Sequence, residues 1–454
     1  MKLALIGGGG VRAPEFVRGA LAFAADLKLD EICLMDVDAG RLEVIAPLCA
    51  EIVRQAGSPF NIRQTTDLDD ALRGAGMIVT TIRVGAEGGR VLDERIALRH
   101  NVLGQETTGP GGFSMAMRSI PAIIHVADRA EKLAPDAWIF NFTNPAGLVT
   151  QALYEAGYRR VVGICDSANT AQQEIAGWYG VETQAVKTEV FGLNHLSWTR
   201  TARLHGRDVL PEVLHNAEFI NCTHLRFFGP EVVQRQGMFL NEYLYYYYFR
   251  DVALARIQAE ELTRGEEIQQ INEQMFAALR GLPPAEGLLV HHRYQSRRSA
   301  GYMACAESDE QRLQERLQAA ESAPAQHEVS GYAGVALQAG LALTQDRPLR
   351  IGLNVPNDGA IAGMQDDDIV EVTCEVDGRG IHPVTIGDVP EDAYLLMRAV
   401  KRYERLAARA ILERDRRLAV EALVAHPLVG SYVLARALMN EYLEAHRRHV
   451  GEWQ

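Results

Sequence analysis

"KLALIGGGGVRAPEF", residues 2–16, decides the expected fold of this chain. Residues 2–6 are mostly apolar and predict a β-strand, and "PEFVRGALAFAADL" (14–27) predicts a helix with Pro14 near its first turn. Four consecutive glycines, Gly7 to Gly10, separate the two elements. Small residues at such a turn let backbone N–H groups approach a pyrophosphate at the helix N-terminus. The stretch therefore predicts a dinucleotide-binding turn.

A carboxylate near the end of the second predicted strand, "EICLMDVD" (31–38), supports the same interpretation. Asp36 lies 27 residues after Gly9, where a carboxylate accepts hydrogen bonds from a ribose diol, which favours NAD over NADP. The usual dinucleotide-binding fingerprint is G-x-G-x-x-G, which Gly7 and Gly9 match, but Arg12 occupies the position of the third glycine. A tight strand-to-helix connection without a ligand is therefore the alternative interpretation.

The pattern beyond this unit predicts two domains. "GMIVTTIRVG" (76–85), "AWIFNFTNP" (137–145) and "RRVVGICDS" (159–167) predict further strands separated by helices, which is typical of a parallel sheet. Beyond about residue 200, long helical segments surround one β-rich stretch, "DDDIVEVTCEVDGRGIHPVTIG" (366–387). We expect an α/β fold with a Rossmann-type NAD-binding domain over 1–170 and a mixed, largely helical catalytic domain over 171–454. The predicted loops are "PPAEG" (283–287), "QSRRSAG" (295–301) and "ESAPAQHE" (321–328).

Composition excludes several classes of protein. The 454 residues include 47% apolar and 23% charged residues, which is ordinary for a globular protein. A formal net charge of −13 opposes binding to nucleic acid, which requires clustered cations. No apolar run is long enough for a signal peptide or a membrane span, so we expect a cytoplasmic protein. Six separated cysteines predict free thiols rather than disulfides.

Polar side chains follow several of the predicted strands. Asn141 and Asn144 follow "AWIF", Cys165 and Asp166 follow "VVGI", and His195 lies in "FGLNHLSW" (191–198). Cys165 and His195 would supply half of a tetrahedral metal shell and leave room for substrate oxygens. The alternatives are amides that cap a turn, a buried thiol and a hydrogen-bonded core histidine.

The run "NEYLYYYYF" (241–249) holds five tyrosines. On helical or strand spacing most of them are expected to pack in the interior. One polar-tipped member of the run remains a candidate for catalysis.

Taken together, these segments resemble glycoside hydrolase family 4, the NAD-dependent and metal-dependent glycosidases. The likeness runs from "LIGGGGVRAPEFV" through "GQETTGPGGF", "NFTNPAGLVTQAL", "VVGICDSAN" and "FGLNHLSW" to "NEYLYYYYF", and continues more weakly through "TRGEE" and "NVPNDGAIAGM". "GQETTGPGGF" and "NEYLYYYYF" look most like the branch of 6-phospho-β-glucosidases. The resemblance implies a two-domain enzyme that assembles as a homodimer or homotetramer and binds a small glycoside, 6-phosphorylated in this branch.

The resemblance also assigns roles to residues. It implies that Cys165 and His195 hold a divalent metal, commonly manganese, and that Tyr243 is the catalytic base. The expected substrate contacts are Asn144 for the sugar and Arg90 and Arg264 for an anionic group. The expected cofactor contacts are Gly7, Gly8, Gly9, Gly10, Val11, Asp36 and Asn141.

The implied reaction differs from ordinary glycoside hydrolysis by two carboxylates. Hydride transfer from C3 of the sugar to NAD makes a ketone, which acidifies the C2 proton that Tyr243 removes. The metal acts as a Lewis acid on the C2 and C3 oxygens. Elimination then expels the aglycone, water adds, and NADH returns the hydride, so that NAD is regenerated in each turnover.

Asp166 leaves the substrate anomer open. Family members that act on 6-phospho-α-glucosides carry an aspartate directly after the metal cysteine, where many β-acting relatives carry asparagine. Here Asp166 could protonate the leaving group, orient a water molecule, or serve as a structural acid of the turn. An α-glycoside, a non-phosphorylated glycoside and a uronide are therefore alternative substrates.

Two other classes of protein remain as alternatives. A net NAD-dependent dehydrogenase would use the dinucleotide fold and His195, and it would consume NAD stoichiometrically. A noncatalytic dinucleotide sensor would bind NAD and release no aglycone. The combination of several separate site motifs favours the glycosidase over both.

Overall fold

The computed structural model describes residues 1–322 and 331–454. The strands are β1 Lys2–Ile6, β2 Glu31–Met35, β3 Asn61–Thr65, β4 Ala75–Thr80, β5 Trp138–Asn141, β6 Val161–Gly163, β7 Val186–Leu193, β8 Leu196–Leu204, β9 Arg207–Asp208, β10 Phe239–Leu240, β11 Leu349–Pro356, β12 Ile369–Asp377 and β13 Gly380–Pro383. The helices are α1 Ala13–Leu21, α2 Ala39–Gln55, α3 Leu68–Leu72, α4 Ala86–Arg99, α5 Pro110–Leu133, α6 Ala146–Glu155, α7 Thr170–Tyr179, α8 Leu210–Leu214, α9 Ala217–Cys222, α10 Gly229–Gln236, α11 Tyr245–Tyr248, α12 Arg250–Ala259, α13 Arg264–Leu279, α14 Pro284–Ala300, α15 Glu310–Ser322, α16 Gly331–Gln345, α17 Glu391–Glu413, α18 Arg416–Ala425 and α19 Tyr432–Val450. Short 3₁₀ turns cover Ser167–Asn169, Thr183–Ala185, His224–Phe227, Glu242–Leu244 and Ala304–Ala306.

A nine-stranded sheet forms the centre of the molecule, in the order β13-β12-β11-β6-β5-β4-β1-β2-β3. Strands β1 to β6 run parallel, as the sequence predicts for a Rossmann-type unit. Strand β11 pairs antiparallel with β6 through Asn354 and Gly163, and β12 and β13 continue the antiparallel part. The β-rich stretch of the C-terminal half therefore extends the sheet of the N-terminal half. The expected α/β fold is confirmed, whereas the domain boundary at residue 170 stays a prediction.

Burial explains why the parallel strands are so apolar. Helices cover both faces of such a sheet, so successive residues on either face lie in the interior. Leu3, Leu5, Ile32 and Leu34 are accordingly completely buried. A smaller sheet in the order β10-β8-β7, with β9 paired to β8, packs against β12.

Close packing explains the glycines after β1. A Cβ atom on Gly8 would lie 2.7 Å from Cα of Leu34, and Gly7 has φ +98°, which strains any residue with a side chain. Helix α1 then begins at Ala13, with Arg12 as an N-cap that makes no side-chain capping hydrogen bond.

Two predicted loops are helical instead. "PPAEG" and "QSRRSAG" form the first and last turns of α14, where Pro283 is the N-cap and Pro284 begins the helix. Proline is tolerated at this position because the first helical N–H groups have no intrahelical partner. Residues 323–328 of the third predicted loop lie outside the described residues. Among the helices that are described, none is long and apolar enough to cross a bilayer.

Candidate active site

A cavity of about 2640 Å³ opens at the carboxyl ends of the parallel strands. Its wall includes Gly7 and Gly10 after β1, Asp36 after β2 and Cys165 after β6. Helices α13 and α14 also contribute to the wall. Ligands of open α/β sheets bind in this crevice, and the space is sufficient for a dinucleotide together with a sugar.

The glycine-rich turn and Asp36 form one unit at this cavity. Asp36 accepts hydrogen bonds from the backbone N–H groups of Gly9 and Asp38, each at 3.1 Å. Burial raises the pKa of Asp36, against the effect of these two donors. Gly7, Gly10 and Val11 line the cavity, whereas Gly8 and Gly9 fit against the strand and the carboxylate beneath it.

Asn141 does not line the cavity wall, and its role as a cofactor contact stays a prediction. Its side chain is completely buried, and Oδ1 accepts hydrogen bonds from Thr80 Oγ1 at 3.0 Å and from the N–H of Thr143 at 3.2 Å. Nδ2 lies 3.3 Å from the carbonyl of Ala146. Asn141 therefore shapes the turn that presents Asn144, which does line the cavity.

The structure brings Cys165 and His195 together. The Sγ atom of Cys165 lies 3.4 Å from Nε2 of His195, and both side chains are buried in the cavity wall. His195 belongs to the two-residue turn between β7 and β8 and has φ +61°. Non-glycine residues rarely adopt this conformation, and such strain concentrates at functional sites.

The side chains of Cys165 and His195 suit a metal site with one thiolate ligand and one imidazole ligand. Thr107 Oγ1 lies 3.0 Å from Nδ1 of His195 and leaves Nε2 directed at the thiol. Burial lowers the pKa of His195 to about 4, so the imidazole is neutral, as a ligand must be. Burial, with Asp166 and Glu371, raises the pKa of Cys165 well above its usual value. A bound cation acts in the opposite direction, because it deprotonates a coordinating thiol.

The candidate metal shell is incomplete in protein ligands. No cluster of three or more His, Cys, Asp or Glu side chains with metal-binding geometry exists among residues 1–322 and 331–454. Asp166 lines the same cavity next to Cys165, and its Oδ1 lies 3.8 Å from the thiol. An open shell of this kind fits a catalytic cation, which keeps positions for substrate oxygens.

Tyr243 lies directly against His195. Their rings are parallel, with centroids 3.7 Å apart and planes 3° apart. Tyr243 sits in the 3₁₀ turn after β10, where Asn241 Oδ1 accepts a hydrogen bond from its N–H at 3.0 Å. Burial and the Glu106 carboxylate raise its pKa well above the usual value. Of the other tyrosines in the run 241–249, Tyr246 also lines the cavity.

The two arginines expected to bind an anion already have protein partners. Arg90 Nε lies 2.7 Å from Glu94, and its Nη1 lies 3.0 Å from Glu106. Arg264 lies 3.0 Å from Glu267 and also donates to the carbonyl of Arg298. Both line the cavity, but neither has a free guanidinium.

Other cavity-lining guanidiniums lack such partners. The side chains of Arg12 and Arg298 line the cavity and make no hydrogen bond or ion pair within the part of the chain that the structure describes. Burial, together with Arg12, lowers the pKa of Arg298 to about 9. Arg12 packs over the rings of Phe142 and Tyr332. Sequence reasoning missed Arg298 because "QSRRSAG" has the composition of a loop, and it treated Arg12 only as a departure from the glycine fingerprint.

Comparison with known proteins identifies the family. The model of the family 4 glycosyl hydrolases matches residues 2–181, and that of the family 4 glycosyl hydrolase C-terminal domain matches residues 190–429. The chain belongs to glycosyl hydrolase family 4. It is 30% identical to a probable 6-phospho-beta-glucosidase of Bacillus subtilis over 100% of this chain and 98% of that protein. It is 28% identical to a 6-phospho-alpha-glucosidase of Leptotrichia buccalis over 98% of this chain and 97% of that protein.

A solved relative extends the likeness to the fold. The 6-phospho-beta-glucosidase of Thermotoga maritima, solved with manganese, NAD+ and glucose-6-phosphate, matches with a TM-score of 0.83 and 28% identity. The match covers 99% of each chain. The expected family, fold and enzyme class of this family 4 glycosyl hydrolase are therefore confirmed. The two expected cofactors, NAD and a divalent metal, are those that this relative holds.

Proposed function

We propose that this enzyme hydrolyses 6-phospho-β-glucosides, with NAD used catalytically and with a divalent cation, Mn²⁺ in the first instance. The observation that carries the proposal is the convergence of Cys165, His195 and Tyr243 on one cavity wall, with 3.4 Å between the thiol and imidazole atoms and 3.7 Å between the two rings. Two of the relatives described above are named 6-phospho-beta-glucosidases, which supports the substrate class.

The chain's own residues divide the work of binding. Gly7, Gly10 and Val11 line the part of the cavity proposed for NAD, and the Asp36 carboxylate would accept hydrogen bonds from the ribose hydroxyls. Cys165 and His195 would hold the cation, and Asn144 would contact the sugar. When bound, NAD supplies a hydride acceptor and donor, and the cation supplies Lewis acidity.

Tyr243 is the proposed base that takes the C2 proton of the sugar on its Oη. In the protein alone, burial raises the pKa of Tyr243, so the hydroxyl is protonated. A positive charge held nearby by Cys165 and His195 favours the phenolate and offsets this effect. The stacked contact between Tyr243 and His195 keeps base and cation site in one arrangement.

Asp166 is the proposed donor of the proton to the leaving aglycone. It lines the cavity directly after Cys165 and therefore lies beside the reacting sugar in this account. The same residue favours a second candidate function, hydrolysis of 6-phospho-α-glucosides, because α-acting members of the family carry aspartate at this position. The 6-phospho-alpha-glucosidase of L. buccalis, 28% identical, is consistent with that alternative.

We propose that Arg12 and Arg298 recognise the 6-phosphate. Both are cavity-lining guanidiniums that no carboxylate pairs among the described residues, and two free cations match a dianionic ester better than a uronic carboxylate. Arg90 and Arg264 are secondary candidates for this contact, since Glu94, Glu106 and Glu267 already pair with them and neutralise their charge.

A panel of glycosides with a chromogenic aglycone tests the proposal. It contains α- and β-linked glucosides and galactosides with and without 6-phosphate, and glucuronides, each assayed with NAD and Mn²⁺. Fastest release from the 6-phospho-β-glucoside supports the proposal. Fastest release from the α-linked isomer would establish the second candidate, and release from none would contradict both. The homodimer or homotetramer is a proposal that light scattering tests. The cytoplasmic location stays a prediction.

A further inference from the structure

A buried carboxylate outside the cavity wall connects the proposed catalytic groups. Glu371 lies on β12, more than 170 residues after both Cys165 and His195 in the sequence, and its side chain is completely buried. No Lys, Arg or His side chain forms an ion pair with it among residues 1–322 and 331–454. Burying a carboxylate without a cation is energetically unfavourable, so the burial of Glu371 calls for a physical reason.

The hydrogen bonds of Glu371 hold both sides of the turn that carries His195. Oε1 accepts a hydrogen bond from Asn194 Nδ2 at 3.1 Å, and Oε2 accepts one from Ser197 Oγ at 2.7 Å. Asn194 immediately precedes His195, and Ser197 follows it by two residues. Because His195 has φ +61°, the turn needs such external support to stay in its conformation.

The same carboxylate reaches the turn that carries Tyr243. Ser197 Oγ, which donates to Glu371, accepts a hydrogen bond from Asn241 Nδ2 at 3.2 Å. Asn241 Oδ1 in turn accepts the N–H of Tyr243 at 3.0 Å. A continuous chain of hydrogen bonds therefore runs from Glu371 to the backbone of the proposed base.

A third contact reaches the strand before Cys165. Glu371 Oε1 also accepts a hydrogen bond from Asn354 Nδ2 at 3.1 Å. Asn354 pairs with Gly163 across β11 and β6, so closely that a Cβ on Gly163 would lie 2.8 Å from Cβ of Asn354. Cys165 follows Gly163 by two residues. One carboxylate thus supports the three segments that present the thiol, the imidazole and the phenol.

We propose that Glu371 is a positioning residue that holds His195 and Tyr243 in the single arrangement needed for cation binding and for proton removal. Its side chain does not line the cavity, and it acts through Asn194, Ser197 and Asn354. Polar partners behind metal ligands commonly contribute tenfold to hundredfold to metal affinity. The inference rests on the proposed roles of Cys165, His195 and Tyr243.

The test compares Glu371→Gln with Thr373→Val, a matched control on the same strand. Thr373 is also buried and polar and bonds Val190 N–H at 2.9 Å and the Thr188 carbonyl at 3.2 Å, without touching the His195 turn. Mn²⁺ binding is titrated calorimetrically on the NAD-loaded protein, and kcat, KM, NAD affinity and the unfolding temperature are measured alongside. We expect Glu371→Gln to weaken Mn²⁺ binding about tenfold or more and to lower kcat at saturating Mn²⁺. NAD affinity should not change, and Thr373→Val should lower only the unfolding temperature.

Two further variants keep the inference testable if Glu371→Gln does not fold. Asn194→Ala removes the support next to His195 and should reduce Mn²⁺ affinity more than kcat, whereas Ser197→Ala breaks the path to Tyr243 and should reduce kcat more than Mn²⁺ affinity. Unchanged Mn²⁺ affinity and kcat in the folded variants would overturn the inference. Absence of Mn²⁺ binding and aglycone release in the wild-type enzyme would instead overturn the proposed function, so the two failures are distinguishable.

Discussion

The imidazole of His195 lies parallel to the phenol ring of Tyr243, with their centroids 3.7 Å apart. Cys165 approaches the edge of the same imidazole at 3.4 Å, so that thiol, imidazole and phenol form one contiguous group. A cation held by the first two would lie close to the third. This arrangement joins the Lewis acid and the base of the proposed reaction.

Tyr243→Phe tests the base. Phenylalanine preserves the ring stacked on His195 and removes only the hydroxyl, so we expect kcat to fall by about a hundredfold or more. Calorimetric titration should give unchanged Mn²⁺ and NAD affinities. Tyr245→Phe is the control, because Tyr245 belongs to the same tyrosine run but does not line the cavity. Near-normal turnover in Tyr243→Phe would exclude it as the base.

Cys165→Ala tests the metal ligand. Loss of the thiolate removes one of two protein donors, so we expect Mn²⁺ affinity to fall by at least about tenfold while NAD binding persists. Chelation of the wild-type enzyme should abolish turnover, and added Mn²⁺ should restore it. Cys374→Ala, which removes another buried thiol on β12, serves as the control for packing loss. An active Cys165→Ala enzyme in metal-free buffer would refute the assignment.

Arg298→Ala tests recognition of the anion. The guanidinium makes no ion pair within the described chain, so its removal should affect the ligand rather than an internal partner. We expect KM for the 6-phosphorylated substrate to rise about tenfold or more, since hydrogen bonds to charged groups contribute roughly 1.5–3 kcal/mol. Arg293→Ala, on the exposed side of the same helix, should have no such effect. An equal rise in KM for the non-phosphorylated glucoside would contradict phosphate recognition.

The raised pKa of His224 predicts how the free energy of unfolding depends on pH. Burial disfavours its charged form, but Glu174, whose Oε1 lies 3.1 Å from Nδ1, and Glu242 outweigh this effect and raise the pKa from 6.5 to about 9. Because the folded-state pKa is the higher one, the stabilisation is complete below pH 6.5 and is lost as pH rises to 9. The loss is on the order of 3 kcal/mol at most. Urea unfolding at pH 6.5 and 9 measures it, and His224→Gln should flatten the difference.

Local sequence patterns predicted the parts of the site that depend on neighbouring residues in the chain. The glycine turn, Asp36 and the polar end of β6 follow from strand periodicity and from the geometry of parallel sheets. The free state of Arg298 and the pairing of Arg90 did not follow, because they depend on which carboxylates the fold brings near. The internal hydrogen bonds of Asn141 did not follow either, because a strand-end amide looks the same in sequence whether it points out or in.

Glu371 shows the limit of sequence reasoning most clearly. In "DDDIVEVTCEVD" it alternates with buried apolar residues and looks like the exposed face of a strand. The antiparallel addition of β11 and β12 to the Rossmann sheet, with the smaller sheet packed against β12, buries that face. Asn194 and Ser197 lie more than 170 residues before Glu371, and Asn354 lies 17 residues before it on the neighbouring strand. Only the tertiary structure brings these partners to the same carboxylate.

The most direct test of the account follows aglycone release and NADH absorbance in the same reaction with 6-phospho-β-glucoside, Mn²⁺ and NAD below the substrate concentration. We predict many turnovers of aglycone per NAD, with NADH never exceeding the enzyme concentration, and no release when NAD or Mn²⁺ is omitted. Steady accumulation of one NADH per substrate consumed would contradict the account and identify a net dehydrogenase.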